Sequence, residues 1–182
     1  MGENKHEGFN ISPRPPLECT PAPDEVQKRA PARRLLSRLL HRWSRLTRGM
    51  TLGVKALVIN EAGEILLIRH TYVPGWHLPG GGVEVGETAE QALARELAEE
   101  TAVELRAPPR LHGLLLNLNL ARRDHVAVYV IEHFAQGLPA VPNREIAELG
   151  FFSPDALPPG TTAPTRRRIE EMRQGHPPAA HW

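Results

Sequence analysis

The chain has 182 residues, 41% of them hydrophobic, and a formal net charge of +1. That is enough to bury one sound core, and it excludes a global field that would attract a polyanion. The single cysteine, Cys19, cannot form an intramolecular disulfide, which agrees with a reducing compartment.

No apolar run approaches the length of a membrane span, and the amino terminus MGENKHEGFN lacks the basic-then-apolar order of a secretory signal. A soluble cytoplasmic protein is the expectation. Residues 1–32 carry Pro13, Pro15, Pro16, Pro21, Pro23 and Pro31 among polar residues without periodicity, a composition that predicts a disordered or extended leader. From Arg33 to Arg48 there are six arginines and no acid, while Leu35, Leu36, Leu39, Leu40, Trp43 and Leu46 recur at helical spacing. Residues 33–48 are therefore predicted to form a basic amphipathic helix. Three roles stand open for it: docking on the domain or on a second copy in a homodimer, contact with an anionic membrane surface, or contact with nucleic acid. Docking is preferred, because the helix leads directly into the first strand, and nucleic acid is not an expected partner.

The compact domain is predicted to begin near Met50. Thr51–Asn60 and Glu64–His70 are rich in Val, Ile and Leu, and the Asn60–Gly63 segment between them reads as a hairpin turn. Trp76–Leu78 leads into Pro79-Gly80-Gly81-Gly82. Thr88 with Gln91 three residues later forms a capping-box pattern, so a helix should start there and run to about Thr101. Val103–Arg106 resumes as a strand, and Pro108-Pro109 breaks the chain. Leu111–Leu120 and Asp124–Phe134 read as two strands joined tightly through Ala121, Arg122 and Arg123, with both arginines as turn residues. Ile146–Phe152 is a last strand, Ser153-Pro154-Asp155 a helical turn, Thr165–Gln174 a final helix, and 177–182 a tail. Strands on both sides of a central helix indicate a mixed β-sheet covered by helices.

The densest chemistry lies in GGVEVGETAEQALARELAEETAV, Gly81–Val103. Glu96, Glu99 and Glu100 stand at i, i+3 and i, i+4, so their carboxylates crowd one helix face. Like charges at this spacing cost a few tenths of a kcal/mol each, and no lysine is interleaved to relieve them. A hard divalent cation with oxygen ligands makes such a cluster favourable. The glycines ahead of it allow close backbone approach. Together they point to metal-assisted chemistry on a phosphorylated substrate. A P-loop reading of Gly81, Gly86, Glu87 and Thr88 fails, because Glu87 stands where that motif needs a lysine and would repel the phosphates. None of the nine histidines shows zinc-site spacing.

As a pattern, Gly81-x5-Glu87-x7-Arg95-Glu96-Leu97-x-Glu99-Glu100-x-Ala102-Val103 resembles the Nudix box, the signature of hydrolases that cleave a nucleoside diphosphate linked to another moiety. Its one departure is Ala102 in place of a late glycine, a position that often takes positive φ and carries no catalytic group. The Gly75–Gly81 approach and the preceding strands also look like this family, and the resemblance extends over roughly Met50 to Gln174. It implies an α+β fold of the α/β/α sandwich type, here in a Nudix hydrolase domain of residues 49–176. It further implies Mg²⁺ or Mn²⁺ on Glu99 and Glu100, with Glu96 as metal ligand or general base and Arg95 holding Glu96 by an ion pair. Glu87 would support the site or bind a second metal, and the Gly81 carbonyl would be a further donor.

Outside the box, Arg69 and His70 could meet substrate phosphate, and Tyr72 could stack on a nucleobase. Trp76 is better read as packing. Asn117 and Asn119 alternate with leucines and so share one sheet face, from which they could read a base or sugar. Glu132, Glu145 and Glu148 are the nominees for an outlying carboxylate, with Glu145 preferred. The substrate is expected to be a small nucleotide derivative: a nucleotide sugar, an ADP-ribose-like compound or a nucleoside triphosphate. The competing expectation is a catalytically silent Nudix-fold module that only binds nucleotide. An isomerase would need a further acid–base pair, for which Cys19 is poorly placed.

Overall fold

The computed structural model of the protein describes residues 49–118, 123–137 and 145–182. The chain divides into Met1–Leu46 and Thr47–Trp182, and the described residues all belong to the second unit. The leader, the 33–48 segment, Asn119 and Arg122 lie outside them.

Among the described residues, eight strands, two helices and one 3₁₀ turn follow in order: β1 Thr51–Val58, β2 Ile65–His70, β3 Trp76–His77, α1 Ala89–Thr101, β4 Val103–Leu105, β5 Arg110–Leu116, β6 Asp124–Ile131, β7 Phe134–Gln136, β8 Ile146–Phe152, the 3₁₀ turn Pro154–Ala156, and α2 Ala163–Gln174. They form three ribbons ordered β1-β6-β5, β3-β2-β8 and β4-β7.

Strand alternation explains the layering. Val54, Ala56 and Val58 of β1 and Ala127, Tyr129 and Ile131 of β6 point one way, into a core with Ala92, Leu93 and Leu97 of α1. Leu57, Val126, Val128 and Val130 point the other way, into a second core with Ile169 of α2. Because strands buried on both faces need apolar residues at every position, β6 reads as an almost unbroken hydrophobic run. The result is an α/β/α sandwich with a mixed sheet, as expected from the sequence.

Several boundaries differ from the sequence reading. The Asn60 turn is present, with its side-chain carbonyl accepting from Ala62 and Glu64 N–H, but past the Ile59–Ile65 bridge the two strands part into different sheets. Strand β1 pairs instead with β6, parallel, from Thr51–Asp124 to Val58–Ile131. The expected Asp124–Phe134 strand is broken after Ile131, and its end, β7, pairs with β4. Strand β5 stops at Leu116, short of Leu120. Helix α2 begins at Ala163, since Pro164 suits a first helical turn.

The last residues, read as a tail, are packed. Leu116 N donates to the Ala180 carbonyl at 2.9 Å and Trp182 N to the Leu116 carbonyl at 3.0 Å. Fully buried Arg168 donates to the His181 carbonyl and to Glu171, and it lies over the Trp182 ring. No helix among the described residues is long and apolar enough to cross a membrane.

Candidate active site

Helix α1 is held at both ends by its sequence. Thr88 Oγ1 accepts from Gln91 N–H, and the Gln91 side chain accepts from Thr88 N–H, completing the expected capping box. At the other end Ala102 is left-handed, φ 54° and ψ 27°, the only non-glycine residue of positive φ among those described. Leu93 and Leu97 anchor the helix in the core, and this fixes which way Arg95, Glu96, Glu99 and Glu100 can point.

The glycine loop is laced to β1. Ala56 N–H donates to the Pro79 carbonyl at 2.9 Å, Val54 N–H to the Gly81 carbonyl at 2.8 Å, and Val83 N–H to the Leu52 carbonyl at 2.9 Å. Gly80 has φ +125°, and a β-carbon there would lie 2.3 Å from the Val54 carbonyl oxygen. A β-carbon on Gly81 would lie 2.3 Å from Glu96 Oε1. The two glycines thus serve different ends: Gly80 lets the loop meet β1, and Gly81 makes room for a carboxylate.

Around that loop the charges are sorted. Arg95 donates from Nε to Glu87 Oε1 at 3.0 Å, from Nη2 to Glu87 Oε2 at 3.2 Å and to the Gly82 carbonyl at 3.2 Å, and from Nη1 to Glu96 Oε1 at 2.8 Å. Its Nη1 also reaches Glu99 Oε2 at 3.5 Å. These contacts hold the Glu87 carboxyl below the usual carboxylate range. Glu100 differs from its neighbours, being 7% exposed with Oε2 accepting from Gly80 N–H at 2.7 Å. Burial pushes its carboxyl up to about 7; the Lys55 ammonium and the Gly80 N–H oppose this, while Glu96 and Glu145 add to it.

The sequence profile of the NUDIX domain matches residues 49–172. The chain belongs to the Nudix hydrolase family. It is a hydrolase of phosphoric anhydride bonds. A Bacillus subtilis (strain 168) protein provisionally named 8-oxo-dGTP diphosphatase is 32% identical over 125 residues, 69% of this chain and 81% of that protein. A NAD-capped RNA hydrolase, NudC of Citrobacter koseri, is 34% identical over 121 residues, which cover 63% of this chain but only 45% of that protein. Among solved structures, a MutT NUDIX hydrolase from Burkholderia pseudomallei superposes with TM-score 0.58 at 31% identity, covering 66% of this chain and 95% of that one.

Within this Nudix fold Arg95 joins Glu87, Glu96 and Glu99, while Glu100 turns to the glycine loop. The Gly81 carbonyl, expected to be a metal donor, is taken into β1 by Val54 N–H, whereas the Gly80 carbonyl accepts from Lys55 Nζ. Nudix enzymes generally use divalent metals, and the donors here are the hard oxygens such ions take. As placed, Glu96 and Glu99 are turned to Arg95 and Glu100 to Gly80, so no three His, Cys, Asp or Glu side chains converge on one point among the described residues.

The candidates outside the box are sorted by the fold. Arg69 is paired with Glu148, directly opposite it across β2 and β8, so neither arrives at the box uncommitted. Tyr72 is 67% exposed; what burial it has raises its hydroxyl's pKa, and the fields of Glu145, Glu100 and Glu96 add to this. Glu145 acts on Glu100 as well, as the smallest of the influences on it. Glu132 lies elsewhere, in a shallow pocket with Pro108, Pro109 and Arg110. The Asn117 amide donates to Asp124 at 2.7 Å, which also accepts from Thr51 Oγ1 at 2.6 Å. Trp76 packs edge-to-face on Phe152, 4.9 Å between centroids. Lys55 was missed: its one signal is a charged residue inside the apolar run Val54–Val58.

Proposed function

We propose that this Nudix domain hydrolyses a nucleoside diphosphate linked to another moiety, using Mg²⁺ or Mn²⁺ held by Glu96, Glu99 and Glu100. The observation that carries the reading is Glu100, a carboxylate almost removed from water on a helix face already crowded by Glu96 and Glu99. Burying such a charge is costly even with the Lys55 ammonium acting on it, and a structural role would be served better by an apolar residue. When bound, a divalent cation would polarise a phosphoryl oxygen and lower the pKa of a water.

The chain's own residues do the positioning. Arg95 keeps Glu87 ionised and holds both Glu87 and Glu96 in place. Glu96, lodged against Gly81, is either a ligand or the base that takes the proton of the attacking water. The water oxygen bonds to phosphorus, the P–O–P bond breaks, and a phosphate ester leaves. Glu145 adds an outlying carboxylate, and Tyr72 offers an exposed ring to a base. Arg69 would have to exchange Glu148 for a phosphate to take part, and Asn117 is already spent on Asp124.

The test is phosphate-ester release from a panel of nucleoside triphosphates (oxidised guanine included, given the Bacillus relative), nucleotide sugars and ADP-ribose, with Mg²⁺ and with Mn²⁺. Glu99→Gln and Glu100→Gln should each lower kcat/KM by about 100-fold or more. Tight metal-independent nucleotide binding without turnover would instead establish a silent binding module.

A further inference from the structure

Lys55 carries a charge that the functional reading leaves unused. It stands on β1, one residue past the Val54 that secures the Gly81 carbonyl, and its ammonium donates to the Gly80 carbonyl. The same Gly80 gives its N–H to Glu100. A lysine at this place on β1 is costly to desolvate, and burial pulls its pKa down while the fields of Glu100 and Glu96 hold it up. In turn its charge helps to lower the pKa of His70 and of His77. Its hydrogen-bond partner is the carbonyl of Gly80, whose own N–H holds Glu100. A backbone carbonyl is an oxygen donor of the kind a hard divalent ion takes.

We propose that in the metal-free protein the Lys55 ammonium occupies the Gly80 carbonyl beside Glu100, and that it competes with the divalent ion for that carbonyl and for the field of the Glu100 carboxylate. The inference rests on the reading of Glu96, Glu99 and Glu100 as metal ligands. Two consequences follow. Without metal, Lys55 keeps the carboxylates from driving α1 and the glycine loop apart. On metal binding, Lys55 must yield that carbonyl, so the apparent affinity for the ion is weaker than the oxygen donors alone would give. Its four-carbon stem leaves the ammonium room to swing aside.

The experiment is Mn²⁺ titration of the metal-stripped full chain by calorimetry, with the thermal midpoint recorded with and without Mn²⁺. Lys55→Met removes both charge and hydrogen bond. Lys55→Gln keeps an N–H for the Gly80 carbonyl but no charge, and so separates competition from bracing of the loop. In Lys55→Gln the Mn²⁺ Kd should fall by about tenfold or more, because a unit positive charge is gone from the Gly80 carbonyl. The Mn²⁺-induced rise in Tm should also exceed that of the wild type. Unchanged or weaker Mn²⁺ binding in a folded Lys55→Gln overturns the proposal and leaves Lys55 as a brace. Should Lys55→Met also bind more tightly, the charge rather than the donor is the competing feature. If the wild-type chain binds no Mn²⁺, the metal-site reading and this proposal fall together; if it binds and Lys55→Gln gains nothing, only the Lys55 proposal falls.

Discussion

Arg95 grips Glu87 through two parallel contacts, Nε to Oε1 at 3.0 Å and Nη2 to Oε2 at 3.2 Å, while its remaining nitrogen holds Glu96. Eight residues apart in sequence, the loop carboxylate and the helix guanidinium lock the start of the box to its middle. A planar fork is needed for this, and lysine has none. Arg95→Lys should therefore fold normally by circular dichroism but lose about 10–100-fold in kcat/KM, with weaker Mn²⁺ binding. Wild-type kinetics in that variant would show that the clamp is dispensable.

Gly80 and Gly81 should fail in different ways. Alanine at 80 meets backbone, the Val54 carbonyl, at a φ of +125°, and neither can yield. Gly80→Ala should lower the thermal midpoint strongly or prevent folding. Alanine at 81 meets only the end of the Glu96 side chain, which can move if it leaves Arg95. Gly81→Ala should keep most of its stability and lose activity, measured by thermal melts beside kcat.

Ala102 takes a conformation that costs an L-residue about 1–2 kcal/mol. Glycine removes that strain but gives the unfolded chain more freedom. Ala102→Gly should then gain about 0.5–1 kcal/mol in urea unfolding, with activity unchanged. A loss of stability would mean that the methyl group packs better than its surroundings indicate.

His70 supplies the pH dependence. Burial lowers its pKa from 6.5 to about 4, with Lys55 and then His77 adding to the effect. The unfolded chain therefore takes up the proton first. His70's contribution to stability is complete above about 6.5 and is lost as pH falls toward about 4. Glu100 runs the opposite way, its contribution being complete below 4.5 and lost as pH rises through about 7. The readout is thus a difference: between pH 7 and pH 4 the metal-free wild type should lose more unfolding free energy than His70→Gln does. In ring-proton NMR, His70 should titrate near 4, and a value near 6.5 would contradict the buried placement.

Much of this protein was legible in one dimension, and the legible parts share a cause. The Thr88–Gln91 cap, the α1 spacing of Glu96, Glu99 and Glu100, the Asn60 turn and the positive φ at Ala102 are all decided within about four residues of chain, where sequence and geometry are directly linked. The family signature is local for the same reason. It collects the helix and loop that chemistry needs side by side.

What only the tertiary structure decided is partnership across long separations. Nothing in Thr51–Val58 says that it will lie parallel to Asp124–Ile131 rather than fold back on β2, because apolar β-strands of similar pattern are interchangeable until both faces of a sheet must be covered. That choice carries the rest. It brings Lys55 to Gly80 and Glu100, spends Asn117 on Asp124, sets Arg69 against Glu148, and seats the C-terminal residues on β5. The sequence alone determined which carboxylates could act; the fold determined which cation stands among them.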